Sequence, residues 1–303
     1  MGHINYFGVV GKIISANVDF IVGQRGIPHD EVYDEVTQYL RENSKEWSAQ
    51  RQPKIDYHLP LCRIAYLYGI VPVNANLVEH VFENDTELET YVDEQIHKKG
   101  TISVCAFGGG PGTELLGITK WLEKRALPNP IHVDFMILDQ VREWVESWMA
   151  LKKGVETLFR DNLGISRHKW PVTISGVGFS PIDVTKIDGF INLGDVYGHD
   201  IYIMCYIISE VFDQPQGMRD VITLMARHAP EGSVFLFIDR NEQRWKSEIS
   251  KIAEHAGLRL GGFQETESSM SSDENKTALG DIYKKVARSP RLTWKAFWVL
   301  GIK

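Results

Sequence analysis

From Thr101 onward the chain alternates short, continuous apolar runs with longer stretches whose apolar residues recur at helical spacing. "TISVCAFGG", "IHVDFMILD", "PVTISGVGF", "DIYIMCYII" and "EGSVFLFID" predict strands, the fourth buried on both faces by its unbroken apolar character. Between and after them, "GTELLGITKWLEKRA", "QVREWVESWMALKKGVETLFRDN", "QGMRDVITLMARHAP" and "RWKSEISKIAEHAG" predict helices. Strands that alternate with helices imply a parallel sheet with crossover connections. A weaker strand, "LRLGGFQE", follows, then a polar, Ser-rich loop over 264–277 and a final apolar strand, "WKAFWVLGIK". With no helix foreseen between these last two strands, they form a closing hairpin. The expected fold is α/β: a doubly wound, seven-stranded, mostly parallel sheet whose last strand is reversed.

The first hundred residues have a different rhythm. "NYFGVVGKIISANVDFIVG" and "PHDEVYDEVTQYLRENSKEW" are helical by spacing, the second opening on Pro28 and acidic residues as a helix N-terminus favours. "LPLCRIAYLYGIVPVNANLVEHVF" breaks near Gly69 to Pro72, and "DTELETYVDEQIHKKG" ends on Lys, Lys and Gly. The expected organisation is therefore a helical N-terminal cap over 1–100, covering a pocket, and a sheet domain over 101–303.

Composition narrows the function classes. With 303 residues and 43% hydrophobic content the chain can bury a large core. A net charge of −7 argues against an extended nucleic-acid surface. The basic stretches "LKKG", "SRHKW" and "YKKVARSPRLTWK" read as solvated helix faces and loop ends. Neither a membrane-spanning apolar run nor a secretory leader is evident, so the expected location is the cytoplasm. Cys62, Cys105 and Cys205 are widely spaced within apolar runs, the pattern of buried reduced thiols, and imply neither a disulfide framework nor a metal cluster. The four tryptophans 121, 144, 148 and 170 are expected to pack helices on the sheet.

Chemistry concentrates at "VCAFGGGPGTELLG", Val104 to Gly117, where a strand passes through Gly108, Gly110 and Gly112 into a helix. Glycine permits positive φ and a close approach of backbone to a ligand, and ligands of doubly wound sheets sit beyond the carboxyl ends of the strands. The spacing departs from the G-x-G-x-x-G dinucleotide fingerprint, because Thr113 stands where its last glycine belongs. Asp139 ends the second strand, placed either to hold ribose hydroxyls or to cap the following helix. Asp183 and Val184 follow the third strand, where the acid either accepts from an adenine amine or serves as a turn residue.

Taken in order, "SVCAFGGGPGTELLG", "ILDQ", "IDVT" and "DIYIMCYIISEVF" resemble the successive ligand motifs of class I S-adenosylmethionine-dependent methyltransferases, and the reversed "WKAFWVLGIK" is similar to that superfamily's last strand. The resemblance implies that Gly108, Gly110 and Gly112 pass beneath the methionine moiety, Asp139 holds the ribose, and Asp183 with Val184 binds adenine. Gln140 and Cys205 complete the candidate cofactor contacts. Ala106 stands where many members carry an acid, so Glu114 either supplies the missing carboxylate or favours its helix N-terminus. Arg63, in the aromatic stretch "DYHLPLCRIAYLYG", pairs either with the ligand's carboxylate or with a surface acid. His58 is a proton acceptor or a structural residue.

The resemblance also directs attention to "MCYIISEVFDQP", the segment after the fourth strand that faces the transferred methyl. It lacks the Asn/Asp-Pro-Pro-aromatic tetrad of amino-directed enzymes. Tyr206 and Glu210 are the candidate catalytic residues: Glu210 is a base, an orienting carboxylate or a helix-start residue, and Tyr206 either walls the substrate or simply packs, with Ser209 also polar and in reach. The expected function is methyl transfer from S-adenosylmethionine to a small molecule, RNA or protein, the alternative being a catalytically silent S-adenosylmethionine-binding sensor or scaffold. A nicotinamide-dependent dehydrogenase ranks third. Neither the acceptor nor the oligomeric state is fixed by the sequence.

Overall fold

The computed structural model describes residues 4–48, 54–125, 130–163, 172–191, 193–270 and 275–303. Trp170 and the "SRHKW" stretch lie outside them.

Five helices precede the sheet: α1 (Tyr6–Arg25), α2 (His29–Ser48), α3 (Pro60–Gly69), α4 (Val71–Asn84) and α5 (Thr86–Lys99). Their ends follow sequence chemistry. Asn5 caps α1 by accepting from the Gly8 amide at 2.8 Å, and Asp85 caps α5 through the Leu88 amide at 2.9 Å. Gly26 and Gly100 close the same two helices in the left-handed conformation.

The remainder runs β1 (Thr101–Phe107), α6 (Thr113–Lys124), β2 (Ile131–Asp139), α7 (Trp144–Leu163), β3 (Val172–Pro181), β4 (Ile201–Cys205), α8 (Ile207–Glu210), α9 (Pro215–His228), β5 (Val234–Arg240), α10 (Gln243–Ala256), β6 (Arg259–Leu260), β7 (Gln264–Ser269), α11 (Asp281–Lys285) and β8 (Thr293–Ile302). The sheet order is β3-β2-β1-β4-β5-β8-β6, with β7 also on β8. The first five strands are parallel and β8 is antiparallel to β5. Because β6 and β7 both pair antiparallel with β8, at opposite ends of it, they act as two pieces of one interrupted edge strand. The chain leaves β1 in one direction and returns through β4 in the other, so the strand order reverses between them.

Period-2 alternation assigns each strand residue to one of two cores. Val104 and Ala106 of β1, Ile201 and Ile203 of β4, and Leu236 and Ile238 of β5 join the cluster formed with α1 to α7. Cys105, Phe107, Tyr202, Met204, Phe235 and Phe237 join the cluster formed with α9 and α10. Burial on both faces is why these strands read as continuous apolar runs. The N-terminal helices share the first of these clusters with the sheet rather than holding a separate core. Glu79 of α4, 1% exposed, ties the layer together through the Tyr6 hydroxyl of α1 at 2.5 Å and Lys124 of α6 at 2.5 Å.

Four expectations change. The expected strand "LRLGGFQE" is split into β6 and the start of β7, and β7 runs on through 266–269, expected as loop; as an edge strand exposing nearly every side chain it carries no apolar signature. A short helix, α11, lies between the last two strands. The fourth strand stops at Cys205, and Tyr206 to Ile208 turn away from it. α1 also has the length and hydropathy of a membrane span, the one single helix among the described residues that does, although its apolar side packs into the core.

Candidate functional site

The turn after β1 is built from glycine by necessity. Gly108, Gly110 and Gly112 have φ of +62°, +48° and +88°, which side chains resist. A Cβ on Gly108 would lie 2.6 Å from Ile207, and one on Gly112 would lie 2.4 Å from the Trp148 ring. Gly110 meets only Trp144, at 3.8 Å. At Gly108 and Gly112 the protein itself occupies the space; Gly110 has none of that crowding.

Asp139 holds this turn in place. One carboxylate oxygen accepts from the Gly110 amide at 2.9 Å and the other from the Val141 amide at 2.8 Å. Burial pushes its carboxyl up to about 6 against those two amides. Each oxygen keeps a second lone pair, and the residue lines a cavity of about 140 Å³. That cavity brings together Gly108, Gly110, Asp139, Gln140, Asp183, Val184 and Glu210. Asp183 is engaged locally as well: against burial, hydrogen bonds from Thr185 and the Lys186 ammonium at 3.0 Å hold its carboxyl below its ordinary value.

Glu114 does not line the cavity. It is 4% exposed, in the first turn of α6, and its Oε2 has no hydrogen-bond partner. Burial pushes its carboxyl up to about 8, with Asp139 adding repulsion. Arg63 is also absent from the lining: its Nη1 donates to the carbonyls of Tyr57 and His58, both at 2.9 Å. These two bonds prop the chain segment that carries Tyr57. His58 forms an exposed pair with Glu143 at 3.0 Å. Cys205 is half-buried at the end of β4, outside both cavities at this edge, and burial raises its thiol.

Three aromatic rings, Tyr57, Tyr66 and Trp144, also line this cavity. Tyr57 and Tyr66 meet edge to face at 5.4 Å, and Trp144 stands 5.5 Å from each. Trp144 thus does more than pack its helix; Trp148 packs α7 on the sheet at Phe135 as expected, whereas Trp121 packs α6 on Phe82 of α4.

Beside this cavity lies a larger one of about 650 Å³, and the two share Tyr66 and Glu210. Tyr206 lines the larger one. It is the single described non-glycine residue with positive φ, +62°, and its buried hydroxyl has no hydrogen-bond partner. Burial pushes the Glu210 carboxyl up to about 7, opposed by Arg240 and assisted by Asp239. Ser209 is committed elsewhere, its amide to Asp239 and its hydroxyl to the Tyr206 carbonyl, both at 3.0 Å. Asp239, fully buried at the end of β5, was missed in the sequence. Its signal was there: "LFID" repeats the acid-after-apolar-strand pattern of "MILD".

Neither the known protein-family models nor the curated proteins match this chain. Solved structures do. An O-methyltransferase family protein from Burkholderia thailandensis is 13% identical with a TM-score of 0.48, over 89% of this chain and 72% of the other. A SAM-dependent methyltransferase from Methanosarcina mazei is 11% identical with a TM-score of 0.40, over 69% and 96%. The N-methyltransferase NodS from Bradyrhizobium japonicum is 11% identical with a TM-score of 0.37, over 73% and 98%. The fold itself is a doubly wound α/β sheet with β8 reversed against β5. Identities of this size leave the chemistry to be read from the site's own residues.

Proposed function

We propose that the protein binds S-adenosylmethionine at the glycine turn and transfers its methyl group to an acceptor seated in the larger cavity. The observation that carries this reading is a buried acid, Glu114, whose Oε2 has no hydrogen-bond partner, beside a left-handed glycine turn that Asp139 fixes at the strand-order switch point. Leaving a buried acid without a partner is costly unless a ligand completes it. A ligand bearing an ammonium group does so.

The residues present suit the rest of such a ligand. Asp139 keeps lone pairs for ribose hydroxyls, Gln140 lies next to it, and Asp183 with Val184 borders the adenine end. When bound, the cofactor supplies a methyl carbon activated by a positively charged sulfur. The chain's own contribution is position and dryness: Tyr57, Tyr66 and Trp144 exclude water, and Tyr66 with Glu210 forms the boundary across which the two ligands meet. Glu210 takes up the acceptor's proton where the acceptor has one to lose, since a carboxyl near 7 is poised for that work.

A second reading, a binder without turnover, draws on one feature. Ser209 is already committed to internal hydrogen bonds, leaving Tyr206 and Glu210 as the free polar groups of that segment.

Calorimetry with S-adenosylmethionine, S-adenosylhomocysteine and NAD tests the cofactor. Both sulfur ligands are expected to bind and NAD is not; failure of both ends the proposal. Turnover then separates enzyme from binder: radiolabel from the methyl group should enter a cell-extract fraction.

A further inference from the structure

The larger cavity holds a charge pattern that the cofactor reading does not use. We infer that it binds a small acceptor through an anionic group, a phosphate or a carboxylate, held by the guanidinium groups of Arg240, Arg288 and Arg291. This rests on the methyl-transfer reading only for the word acceptor; the anion site stands on its own residues.

Among the described residues five cations line this cavity, Arg240, Arg244, Arg288, Arg291 and Lys295, against two acids, Glu210 and Glu242. Two of the cations are already balanced: Arg244 by Glu242 at 2.8 Å and Lys295 by Glu267 at 3.2 Å. Among the described residues no carboxylate lies within ion-pair distance of the other three. Arg288 donates to the Ser44 hydroxyl at 2.8 Å and Arg291 to the Thr293 carbonyl at 2.8 Å, both neutral partners. Such a surplus runs against a chain whose net charge is −7. Like charges gathered in a concavity repel one another and focus the field on whatever enters, which favours an anion.

The cations are held by structure. Tyr68 of α3 donates to the Arg288 carbonyl at 2.7 Å, and the Arg291 amide donates to the Gly69 carbonyl at 3.2 Å, so the segment 288–291 is clamped to the N-terminal helices. Arg240 ends β5, its amide donating to Asp239 at 2.7 Å. Arg240 and Arg291 line the same cavity as Tyr206 and Glu210, the candidate catalytic residues. Guanidinium forks match carboxylate and phosphate oxygens in pairs. The volume of about 650 Å³ falls within the range of small-molecule sites. The sequence reading placed the "ARSPR" tail on a solvated face because its partners, Arg240 and α3, lie far away in the chain.

The test titrates the full-length protein with inorganic pyrophosphate and, separately, with succinate, by calorimetry at low ionic strength. At least one should bind, which also tells phosphate from carboxylate chemistry. The double variant Arg288→Ala with Arg291→Ala should weaken that binding tenfold or more. Lys284→Ala, an exposed cation paired with Asp281, should leave it unchanged. S-adenosylhomocysteine is titrated into the same proteins. If it binds none of them the cofactor reading fails, yet the anion result still stands. If neither anion binds the wild type, or the double variant binds as well as the wild type, the anion site is wrong. Loss of S-adenosylhomocysteine affinity in the double variant would assign the arginines to the cofactor's own carboxylate and overturn the proposal. Binding of single-stranded RNA with a steep salt dependence, where pyrophosphate does not bind, would overturn it in favour of a polymer.

Discussion

The smaller cavity, about 140 Å³, sits against buried acids, and the larger, about 650 Å³, is rimmed by arginines; they meet at Tyr66 and Glu210. Asp139 belongs to the first and Glu114 lies behind it, both with carboxyls raised by burial. Arg240, Arg288 and Arg291 belong to the second and have no carboxylate partners among the described residues. Two neighbouring hollows of opposite character suit two ligands of opposite charge, a sulfonium-bearing donor and an anionic acceptor. On the proposed reading, charge would steer each ligand to its own side before any contact is optimised.

The largest expected effect comes from the turn that the smaller cavity requires. Gly112→Val forces a branched side chain into φ +88° with the Trp148 ring 2.4 Å from its Cβ. The expected cost is about 3 to 5 kcal/mol of folding stability, from backbone strain and overpacking together. Gly110→Ala, at φ +48° but with a Cβ that would make only an ordinary contact with Trp144 at 3.8 Å, should cost about 1 kcal/mol while still narrowing the smaller cavity. Urea unfolding and S-adenosylhomocysteine titration of both variants separate the two effects. Equal destabilisation would mean that crowding by Trp148 does not set the glycine requirement.

Next in size is Glu210, the residue both cavities share. Burial lifts its carboxyl to about 7, so it is mainly protonated below that pH and available as a base above it. Activity is expected to rise with pH through about 7 and level off. Glu210→Gln should lower kcat about 100-fold, some 2.7 kcal/mol, and erase that inflection, with cofactor affinity retained. A variant that keeps both rate and pH profile removes Glu210 from proton transfer.

Glu114 sharpens the contrast from the acidic side. Its folded value of about 8 lies above the ordinary 4.5, so between those pH values the folded chain holds a proton that the unfolded chain has released. Stability of the ligand-free protein should therefore fall as pH rises from about 4.5 to 8, and Glu114→Gln should flatten that slope. A cationic ligand favours the ionised form, so binding should release a proton and tighten as pH approaches 8. Calorimetry in two buffers of different ionisation enthalpy reads the proton directly. Glu114→Gln should weaken S-adenosylhomocysteine about tenfold, or about 1.4 kcal/mol. Tight binding with no proton release would place the ligand's ammonium elsewhere.

What the sequence made legible follows from where information is local. The alternation of apolar runs with helical segments, the glycine turn and Asp139 at a strand end were readable because each depends on neighbours in the chain. The split edge strand was not, since β7 shows five of its six side chains to solvent and pairs only through backbone. Tyr206 was readable as a candidate but not as the left-handed residue that ends β4, a conformation glycine usually supplies. The cluster of Tyr57, Tyr66 and Trp144 and the arginine rim join segments far apart in sequence, so no spacing rule reaches them.

The smallest expected effect isolates the larger cavity from the fold around it. The Tyr206 hydroxyl is buried and has no partner, while its ring packs beside the sheet core. Removing an unsatisfied hydroxyl relieves a desolvation cost, so Tyr206→Phe should leave folding stability within about 0.5 kcal/mol of the wild type or raise it slightly. Cofactor affinity should be unchanged, because the residue lines the other cavity. If the phenol awaits an acceptor, the variant should instead raise KM for that acceptor severalfold with little change in kcat. A variant that loses stability by more than about 1 kcal/mol would mean that the hydroxyl already has a bonding role in the folded chain, and the acceptor assignment for Tyr206 would fall with it.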